Sequence, residues 1–352
     1  MRKRVRVAVL AGGRSSEHEI SVASARSVLE SLDPDRYEAV TVEIDREGRW
    51  QLEPGGSRAL TRGIVGELDE GEGATAVETL PVPTDSVPTT LADVDVVIPV
   101  LHGPFGEDGT VQGLLELANV PYVGAGVLGS ALAMDKDKFK AVMRDAGVPV
   151  TRNITLRLGD APANPYGYPV FVKPARLGSS VGVSKVRSEA ELAPAVELAF
   201  RHDEKVLVEE FVAGVEVECG VLGNLNPIAS LPGEIVSHGF DAPDWYDYSA
   251  KYDEGGMDLL VPPRISQEQI ERVQRLAVDS FVASECEGMA RVDFFVRDDE
   301  VLVNELNTIP GFTATSVYAK LFEASGIPYP ELLDRLVDLA LERHERRRGL
   351  RF

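Results

Sequence analysis

The sequence predicts an N-terminal α/β domain with a parallel sheet, followed by a second region of mixed strands and helices. In the first third of the chain, short β-branched runs alternate with amphipathic segments, and this alternation is typical of parallel strands joined by helices. Beyond Gly147, strand-like runs predominate, with one clear helix before Gly214. A length of 352 residues is enough for two or three domains with well-packed cores.

The elements of the first domain follow in chain order. The apolar run 4–12 predicts a buried strand, and the periodicity of 15–32 predicts an amphipathic helix. From Arg46 to about Thr90 the chain is rich in Gly, Pro and Glu with weak periodicity, which indicates a surface insertion. The remaining predicted elements are strands 37–45 and 94–103, helix 110–120 and a short strand 121–126.

The second region begins with a helix. Segment 127–147 predicts one continuous helix ending at Gly147, because glycine is favoured just past a helix C-terminus. Ser237 to Gly256 is rich in Gly and Asp and poor in core residues, so we expect a loop that is mobile without ligand. The other predicted elements are strand 168–174, an apolar strand before Glu209, further strands after Gly214, helices 189–202 and 267–284, the hairpin 290–311 and two closing helices.

Composition and charge argue against several classes of partner. The net charge of −21 argues against nucleic acid and anionic membranes, although one small anionic ligand needs only a local basic pocket. No apolar run is long enough to span a membrane, and the N-terminal apolar run is too short for a signal sequence. Cys219 and Cys286 show no motif spacing and suit a reducing compartment. We therefore expect a soluble, cytoplasmic protein.

The hairpin 290–311 is predicted to set one carboxylate against another. If residues 298–300 form the turn, the strands pair outward from it and Asp293 lies opposite Glu305. Asn307 shares a face with Glu305, because alternate strand residues point the same way. Facing carboxylates repel unless a cation lies between them, and these hard oxygen donors suit Mg²⁺ better than zinc. The alternative is that all three side chains face solvent.

A glycine- and serine-rich loop, GSSVGVS at 178–184, follows a predicted strand. Its backbone N–H groups and the hydroxyls of Ser179 and Ser180 are suited to wrapping phosphates. It is not a Walker A motif, because the lysine precedes the glycines. The alternative is an ordinary hairpin with a surface lysine. The chain has nine lysines against 27 arginines, and three lysines lie in or beside the predicted motif loops: Lys136, Lys173 and Lys251.

Glu209 and Glu210 come directly after an apolar strand-like run. Neighbouring strand residues point to opposite faces, so one of the two lies inward or at a cleft rim. Glu209 with Phe211 and Phe295 has the acceptor and the apolar walls that an adenine pocket requires. The alternative is that both glutamates are solvated charges at a strand end.

Two polar residues stand at the carboxyl ends of the first and third predicted strands. Ser16 and Glu19 fit a capping box for the first helix, which leaves Glu17 with no capping role. His102 lies at the corresponding end of the third strand. Because ligands of α/β sheets bind at these ends, Glu17 and His102 together indicate a site. The alternative for Glu17 is a favourable interaction with the helix macrodipole.

Five motifs follow one another along the chain. They are HGPFGEDGTVQG, GVLGSALAMDK, VKPARLGSSVGVSKV, the AKY triplet and ARVDFF…VNELNTIPGFT. Their order and spacing resemble those of the D-alanine–D-alanine ligase family, of the ATP-grasp superfamily, from about residue 5 to the last helix. The resemblance implies an α/β domain at 1–125 (with the insertion at about 46–90), then an ATP-grasp fold of two α+β subdomains at 126–214 and 215–352, with a lid loop at 237–256.

The resemblance also implies cofactors. ATP is the implied co-substrate, together with two Mg²⁺ ions for which Mn²⁺ can substitute. Asp293, Glu305 and Asn307 match the positions that hold these ions against the phosphates. The lysines that match triphosphate-binding positions are Lys136, Lys173 and Lys251, and the residues that match the adenine and ribose site are Glu209, Glu210, Val212 and Glu216.

The implied reaction has two steps. The carboxylate of one D-alanine attacks the γ-phosphate to give an acyl phosphate, and the amine of a second D-alanine then displaces phosphate. Glu17 is expected to hold the first ammonium, with His102 nearby. Arg291 and the backbone N–H of Gly311 are expected to stabilise the tetrahedral oxyanion, and Ser316 to bind the second carboxylate.

The lid bears on the choice of acceptor. Ser179 and Tyr252 are expected to join Glu17 in a hydrogen-bonded set that closes over the intermediate and excludes water. Relatives that make D-alanine–D-lactate depart from Tyr at the lid position, so Tyr252 favours an amine acceptor, with D-lactate and D-serine as alternatives. The implied role is peptidoglycan precursor synthesis, and hence cell wall biogenesis and cell shape, by a homodimer. The alternative from another functional class is a nucleotide-binding sensor without catalytic activity. The presence of all three predicted metal ligands and of Arg291 argues against it.

Overall fold

The computed structural model describes residues 3–52, 91, 93–237 and 257–351. These residues form fourteen strands in three sheets, and eight helices. The strands are β1 (Val5–Gly12), β2 (Tyr37–Ile44), β3 (Trp50–Leu52), β4 (Val96–Pro99), β5 (Asn153–Arg157), β6 (Val170–Pro174), β7 (Ser184–Val186), β8 (Lys205–Glu210), β9 (Val215–Gly223), β10 (Ile228–Ala229), β11 (Gly233–Ser237), β12 (Met257–Leu260), β13 (Gly288–Arg297) and β14 (Glu300–Asn307). The helices are α1 (His18–Ser31), α2 (Thr110–Leu117), α3 (Val127–Met134), α4 (Lys136–Asp145), α5 (Glu189–Phe200), α6 (Gln267–Ala283), α7 (Val317–Ala324) and α8 (Tyr329–Arg348).

The first sheet has the strand order β3-β2-β1-β4. β1 pairs in parallel with β2 and β4, as the alternation of strands and helices predicts. The short strand predicted at 121–126 is reduced to a single bridge between Tyr122 and Val97. The predicted insertion begins later than Arg46, because Trp50–Leu52 pairs with β2 and Trp50 is buried. The rest of the insertion, 53–90, lies outside the described residues.

The start of α1 differs from the predicted capping box. The helix begins at His18, and no side chain caps it. Ser15 accepts a hydrogen bond from the backbone N–H of Glu17, so the residues before the helix form a turn of their own. The side chain of Glu19 is 79% exposed and pairs with Arg46 at 2.9 Å. The capping box is therefore wrong, but Glu17 is free of a capping role, as expected.

The helix predicted at 127–147 is two helices, α3 and α4. The chain breaks at Asp135, which has extended backbone angles (φ −88°, ψ 90°) and accepts a hydrogen bond from the backbone N–H of Lys138. An aspartate is a preferred N-cap because its short side chain satisfies one of the unpaired N–H groups of a helix start. The break makes Lys136 the first residue of α4.

The other two sheets are antiparallel. The second has the order β5-β8-β6-β7, and the third has β12-β11-β9-β13-β14, with β10 paired to β9. Together with the first sheet, in which β1, β2 and β4 are parallel and the edge strand β3 is antiparallel, they confirm the predicted fold class. Among the described residues, no helix combines the length and apolarity needed to cross a bilayer.

In the hairpin of β13 and β14, one predicted residue pair is present although the turn and the register differ from the prediction. Asp293 lies opposite Glu305, as predicted. The turn, however, is one residue shorter than predicted, because Arg297 pairs with Glu300. A register shift after Asp293, with Asn304 as the extra residue on β14, restores the predicted pairing.

The C-terminal helices return to the first sheet. Residues of α7 and α8, including Phe322 and Leu336, share one buried cluster with Val9 of β1 and Ile98 of β4. This packing holds the carboxyl ends of β1 and β4 beside the segment that follows β14. His102, after β4, accordingly lies 3.0 Å from the carbonyl oxygen of Ile309. The domain limits at 125/126 and 214/215 stay predictions.

Candidate active site

Two adjoining cavities lie where the sheets meet. The larger, of about 1000 Å³, lies between the second and third sheets. The smaller, of about 560 Å³, lies between the start of α1, the segment after β4 and the end of β14. A ligand in one cavity can therefore reach a ligand in the other. The residues that line both are Lys136, Gly178, Ser179, Glu216, Ile235 and Glu305.

The larger cavity has a basic side. Lys136 Nζ donates a hydrogen bond to the carbonyl oxygen of Leu177 at 2.9 Å and lies 3.4 Å from Glu305 Oε2. Lys173, next to the end of β6, donates to Glu209 Oε1 at 2.8 Å. Two ammonium groups on one wall form a local basic pocket in an otherwise acidic chain, as an anionic ligand requires.

The opposite end of the larger cavity is apolar. Phe211, Val212 and Phe295 line it. Lys185 Nζ lies 4.1 Å from the centre of the Phe211 ring, an arrangement that fixes the ring by a cation–π interaction. Aromatic and aliphatic walls of this kind suit a flat heterocycle.

Loop 178–184 borders both cavities in a strained conformation. Ser179 and Ser180 have positive φ angles of 51° and 57°, which non-glycine residues rarely adopt. Such conformations persist where surrounding contacts impose them, and they are common at ligand sites. One such contact is present, because Ser179 Oγ donates a hydrogen bond to Glu17 Oε1. The predicted partnership of these two residues is thus seen in the structure.

The smaller cavity contains a histidine with one ring nitrogen available. His102 Nδ1 lies 3.0 Å from the carbonyl oxygen of Ile309, so Nδ1 must carry the proton of that hydrogen bond. Nε2 is buried and has no hydrogen-bond partner among the described residues. Burial lowers the pKa of His102, which keeps the imidazole neutral at pH 7. Nε2 is therefore a hydrogen-bond acceptor, unpaired within the described part of the chain, in a residue that lines the smaller cavity.

A second carboxyl group lies near Glu17. Glu107 lines the smaller cavity and accepts a hydrogen bond from the backbone N–H of Gly103 at 2.8 Å. Burial, reinforced by the charge of Glu17, raises the pKa of Glu107 to about 8. The cavity therefore contains a carboxyl group that holds its proton more tightly than a solvated glutamate does.

Arg291 lies between two carboxylates at the base of the smaller cavity. Its Nε and Nη2 donate to the two oxygens of Asp293 at 2.7 and 2.8 Å. Nε also lies 2.9 Å from Glu218 Oε2. Burial opposes the charge, but Asp293 and Glu218 outweigh it and raise the pKa of Arg291. The guanidinium is thus permanently charged and held by a fork of hydrogen bonds.

Gly311 and Ser316 lie together on the far side of the smaller cavity. A side chain added at Gly311 would place its Cβ 3.3 Å from Ser316 Oγ, so the absence of a side chain keeps this space open. Ser316 directly precedes α7, and the start of a helix favours a negative charge. The corner is suited to a carboxylate.

Most of the predicted site residues line one of the two cavities. Two do not: the Glu210 side chain pairs with Arg152, and Asp293 lies behind Arg291. Lys251 and Tyr252 lie outside the described residues. Those lining the larger cavity are Lys136, Lys173, Ser179, Ser180, Glu209, Phe211, Val212, Glu216, Phe295 and Glu305. Those lining the smaller cavity also include Glu17, His102, Arg291, Asn307, Gly311 and Ser316.

Two family models match the chain in succession. The model of the D-ala D-ala ligase N-terminus matches residues 6–125, and that of the D-ala D-ala ligase C-terminus matches residues 142–338. The chain belongs to the D-alanine–D-alanine ligase family. The resemblance inferred from the five motifs is confirmed.

Relatives of this ligase family match over almost the whole chain. A D-alanine–D-alanine ligase of Mycobacterium sp. (strain JLS) is 48% identical, over 97% of both chains. The solved D-alanine–D-alanine ligase of Coxiella burnetii is 38% identical with a TM-score of 0.80, covering 98% of this chain and 96% of that one. The enzyme of Bacillus anthracis, solved with ATP, is 26% identical with a TM-score of 0.75, covering 98% of this chain and all of that one.

Sequence reasoning missed four residues of this ligase-family site. Lys140 is completely buried against Glu209, and Asn304 accepts from Lys173 at 3.3 Å. The sequence did contain signals for Glu218 and Glu107. Glu218 is two residues after Glu216 on one strand and so shares its face, and Glu107 lies inside the HGPFGEDG motif. For Lys140 the signal was its spacing of four residues from Lys136 in a lysine-poor chain.

Proposed function

We propose that the chain joins two D-alanine molecules into D-alanyl-D-alanine, with ATP converted to ADP and phosphate, in the synthesis of peptidoglycan precursors. One observation supports this most strongly. A large cavity with a basic wall and an apolar end opens into a small cavity with carboxylate, imidazole and guanidinium groups. The first suits a nucleotide, and the second suits zwitterionic amino acids.

The first D-alanine binds through both of its charged groups. Glu17 accepts hydrogen bonds from its ammonium, and His102 Nε2 is a further acceptor nearby. Its carboxylate points towards the larger cavity and attacks the γ-phosphorus. The bond between that phosphorus and the bridging oxygen breaks, ADP leaves, and an acyl phosphate forms.

The second D-alanine completes the reaction. Ser316, at the start of α7, binds its carboxylate. Its amine, once deprotonated, attacks the acyl carbon, and phosphate leaves with the C–O bonding pair. Arg291 and the backbone N–H of Gly311 stabilise the oxyanion that develops on the acyl oxygen, an electrostatic role in which each donor typically contributes about 3–4 kcal/mol.

ATP lies in the larger cavity. Lys136, Lys173 and the serines of loop 178–184 bind its phosphates, which their position along one wall supports. Phe211, Val212 and Phe295 enclose adenine, and Glu216 binds ribose. Glu210 takes part only through backbone atoms, since its side chain pairs with the exposed Arg152. Lys251 and Tyr252, in the lid loop 237–256, complete the site.

Two Mg²⁺ ions, or Mn²⁺, are held by Asp293, Glu305 and Asn307. The donor types fit, because carboxylate and amide oxygens are hard ligands and Asp293 faces Glu305 across the hairpin. In this structure both Asp293 oxygens accept from Arg291, so Asp293 would have to release one of these hydrogen bonds to bind an ion. Asn307 Nδ2 donates to Asp293 Oδ2 at 3.0 Å, which draws two of the three donors together. When bound, the ions neutralise the phosphates during transfer.

Glu305→Gln is expected to raise the Mg²⁺ concentration for half-maximal activity by about 100-fold or more, because loss of even an outer-shell partner of a metal site typically costs about 10–100-fold. Calorimetric titration with Mn²⁺ in the presence of a non-hydrolysable ATP analogue gives a second readout, in which the same variant binds Mn²⁺ more weakly. Unchanged binding in the variant would remove Glu305 from the metal site. Removal of divalent ions by EDTA is expected to abolish turnover, and Mg²⁺ to restore it.

A homodimer is part of the proposal. Four large apolar side chains are exposed on α2, on α3 and in the loop before α2, and the two helices pack together. They are Phe105 (48% exposed), Leu117 (81%), Val127 (41%) and Leu128 (62%). Exposed apolar side chains grouped on neighbouring elements are typical of an interface.

Leu117→Glu with Leu128→Glu is expected to convert the dimer to a monomer, because the introduced carboxylates cannot be buried without partners. Sedimentation velocity checks this, with Leu158→Glu as a control at a similarly exposed leucine (68%) remote from these helices in sequence. A wild-type monomer, or a double variant that stays dimeric, would contradict the assignment of this surface.

Phosphate release tests the function. The protein is given ATP and Mg²⁺ with D-alanine, L-alanine, D-alanine plus D-lactate, or D-alanine plus D-serine, and products are identified by mass. We expect turnover with D-alanine alone and the D,D-dipeptide as product. Turnover only with a second acceptor would change the proposed substrate, and ATP binding without any product would favour the inactive nucleotide sensor.

A cytoplasmic location is also proposed, because ATP is consumed and both cysteines are buried and unpaired. Recovery of the protein in a membrane fraction would contradict this location.

A further inference from the structure

Lys140 is a fully buried lysine that the reaction described above does not use. It lies on α4, one helical turn after Lys136, with no solvent exposure. An ammonium in the interior is unfavourable unless it is paired and hydrogen-bonded. Two partners satisfy it: Thr151 Oγ1, to which it donates a hydrogen bond, and Glu209 Oε2, with which it forms an ion pair.

The partner carboxylate is shared with the larger cavity. Glu209 is 2% exposed, and its other oxygen, Oε1, accepts from Lys173 Nζ at 2.8 Å. Lys173 also donates to Asn304 Oδ1 at 3.3 Å. A continuous chain of contacts therefore runs from Thr151, which is buried, through Lys140 and Glu209 to Lys173 and the cavity.

The charges along this chain of contacts determine the net charge that Lys173 presents to a ligand. Two ammonium groups and one carboxylate leave one net positive charge. Burial lowers the pKa of Lys140 to about 8, so the ammonium remains charged near neutral pH, and the two lysines hold the pKa of Glu209 low despite its burial. Without Lys140, Glu209 and Lys173 would form a neutral pair at the cavity wall.

We propose that Lys140 is a positioning residue: by pairing with Glu209 it leaves the charge of Lys173 available to the phosphates of the nucleotide and fixes the Glu209 carboxylate at the cavity wall. This inference rests on the proposed function, because it takes the ligand of the larger cavity to be ATP. Lys140 itself has no solvent exposure and touches no ligand.

Lys140→Met tests the proposal through nucleotide affinity measured by calorimetry. Loss of one positive charge beside the phosphates is expected to weaken ATP binding by about 10–100-fold, ADP binding less, and adenosine binding least. The control is Lys138→Met, two residues away on the same helix, whose side chain is 60% exposed and pairs only with the neighbouring Asp137 among the described residues. The control is expected to bind all three ligands like the wild type.

A double variant separates charge from packing. In Lys140→Met with Glu209→Gln, the carboxylate charge is removed as well, so Lys173 regains its net positive charge and the ratio of ATP to adenosine affinity is expected to recover. A purely structural role predicts equal weakening of all three ligands and no recovery, and either result would overturn the inference. Absence of ATP binding by the wild type would instead contradict the proposed function.

Discussion

Replacing Glu17 by Gln is expected to lower kcat/KM for D-alanine by a hundredfold or more. The carboxylate is buried, with 7% of its surface exposed, and lies in the smaller cavity where the ammonium of the first D-alanine is proposed to bind. Loss of one partner of a buried charge pair costs roughly 3–5 kcal/mol, and each 1.4 kcal/mol is tenfold in affinity. The loss is expected mainly in the KM for the first D-alanine, with Ser179 also deprived of a charged acceptor.

Glu30→Gln is the matched control for this variant. It removes the same charge from α1, the helix that directly follows Glu17, at an exposed residue that lines neither cavity. Steady-state kinetics at saturating ATP are expected to show wild-type values for Glu30→Gln, since exposed charges contribute little. Equal losses of activity in the two variants would mean that the lost negative charge itself, and not ammonium binding by Glu17, causes the effect.

Arg291→Ala is expected to lower kcat by about 10²–10³-fold, the usual effect of removing one oxyanion donor. It also leaves Asp293 and Glu218 buried without their cation, so the free energy of unfolding is expected to fall by roughly 3–5 kcal/mol. Arg291→Lys separates these effects. It retains the charge between the carboxylates but loses the fork of donors, so stability recovers more than the rate does.

Arg297→Ala provides the control for Arg291, because it removes a guanidinium from the same strand. Arg297 is at the hairpin end and pairs with Glu300, with 37% of its side chain exposed. Rates are measured well below the unfolding midpoint of each variant, which thermal denaturation supplies. A rate for Arg291→Ala near that of Arg297→Ala, in a folded sample, would exclude the oxyanion role.

Rules for strand pairing predicted the structure correctly where strands and helices alternate regularly. The alternation of strands and helices predicts the parallel sheet, and the hairpin sequence predicts that Asp293 faces Glu305. The prediction of the pair succeeded although its turn was wrong, because the bulge at Asn304 compensates for a turn one residue shorter. A bulge adds one unpaired residue to one strand, and a residue-by-residue count of two regular strands does not contain it.

Local motifs failed where a tertiary contact was stronger. Ser16 and Glu19 match a capping box, but Glu19 pairs with Arg46 and Glu17 binds Ser179 from a loop 162 residues away in sequence. Likewise, segment 127–147 has helical periodicity throughout, yet Asp135 interrupts it. That break orients Lys136 and Lys140 towards Glu305 and Glu209, which sequence periodicity alone does not reveal.

Glu209 illustrates a prediction that was right in position and incomplete in chemistry. Strand alternation correctly predicts that one member of the Glu209–Glu210 pair points inward: Glu209 is buried, whereas Glu210 pairs with the exposed Arg152. The sequence predicts that Glu209 accepts a hydrogen bond from the adenine of the nucleotide. In the structure its two oxygens already interact with Lys140 and Lys173, so its charge is part of the basic wall.

The central claim is that phosphate passes from ATP to the carboxylate of D-alanine, and an oxygen label tests it most directly. D-Alanine labelled with ¹⁸O in its carboxylate is turned over with unlabelled ATP, and the released phosphate is analysed by mass. An acyl phosphate predicts one ¹⁸O atom in each phosphate, because the bridging oxygen leaves with phosphorus when the amine attacks carbon. Unlabelled phosphate, or AMP and pyrophosphate as products, would contradict the account.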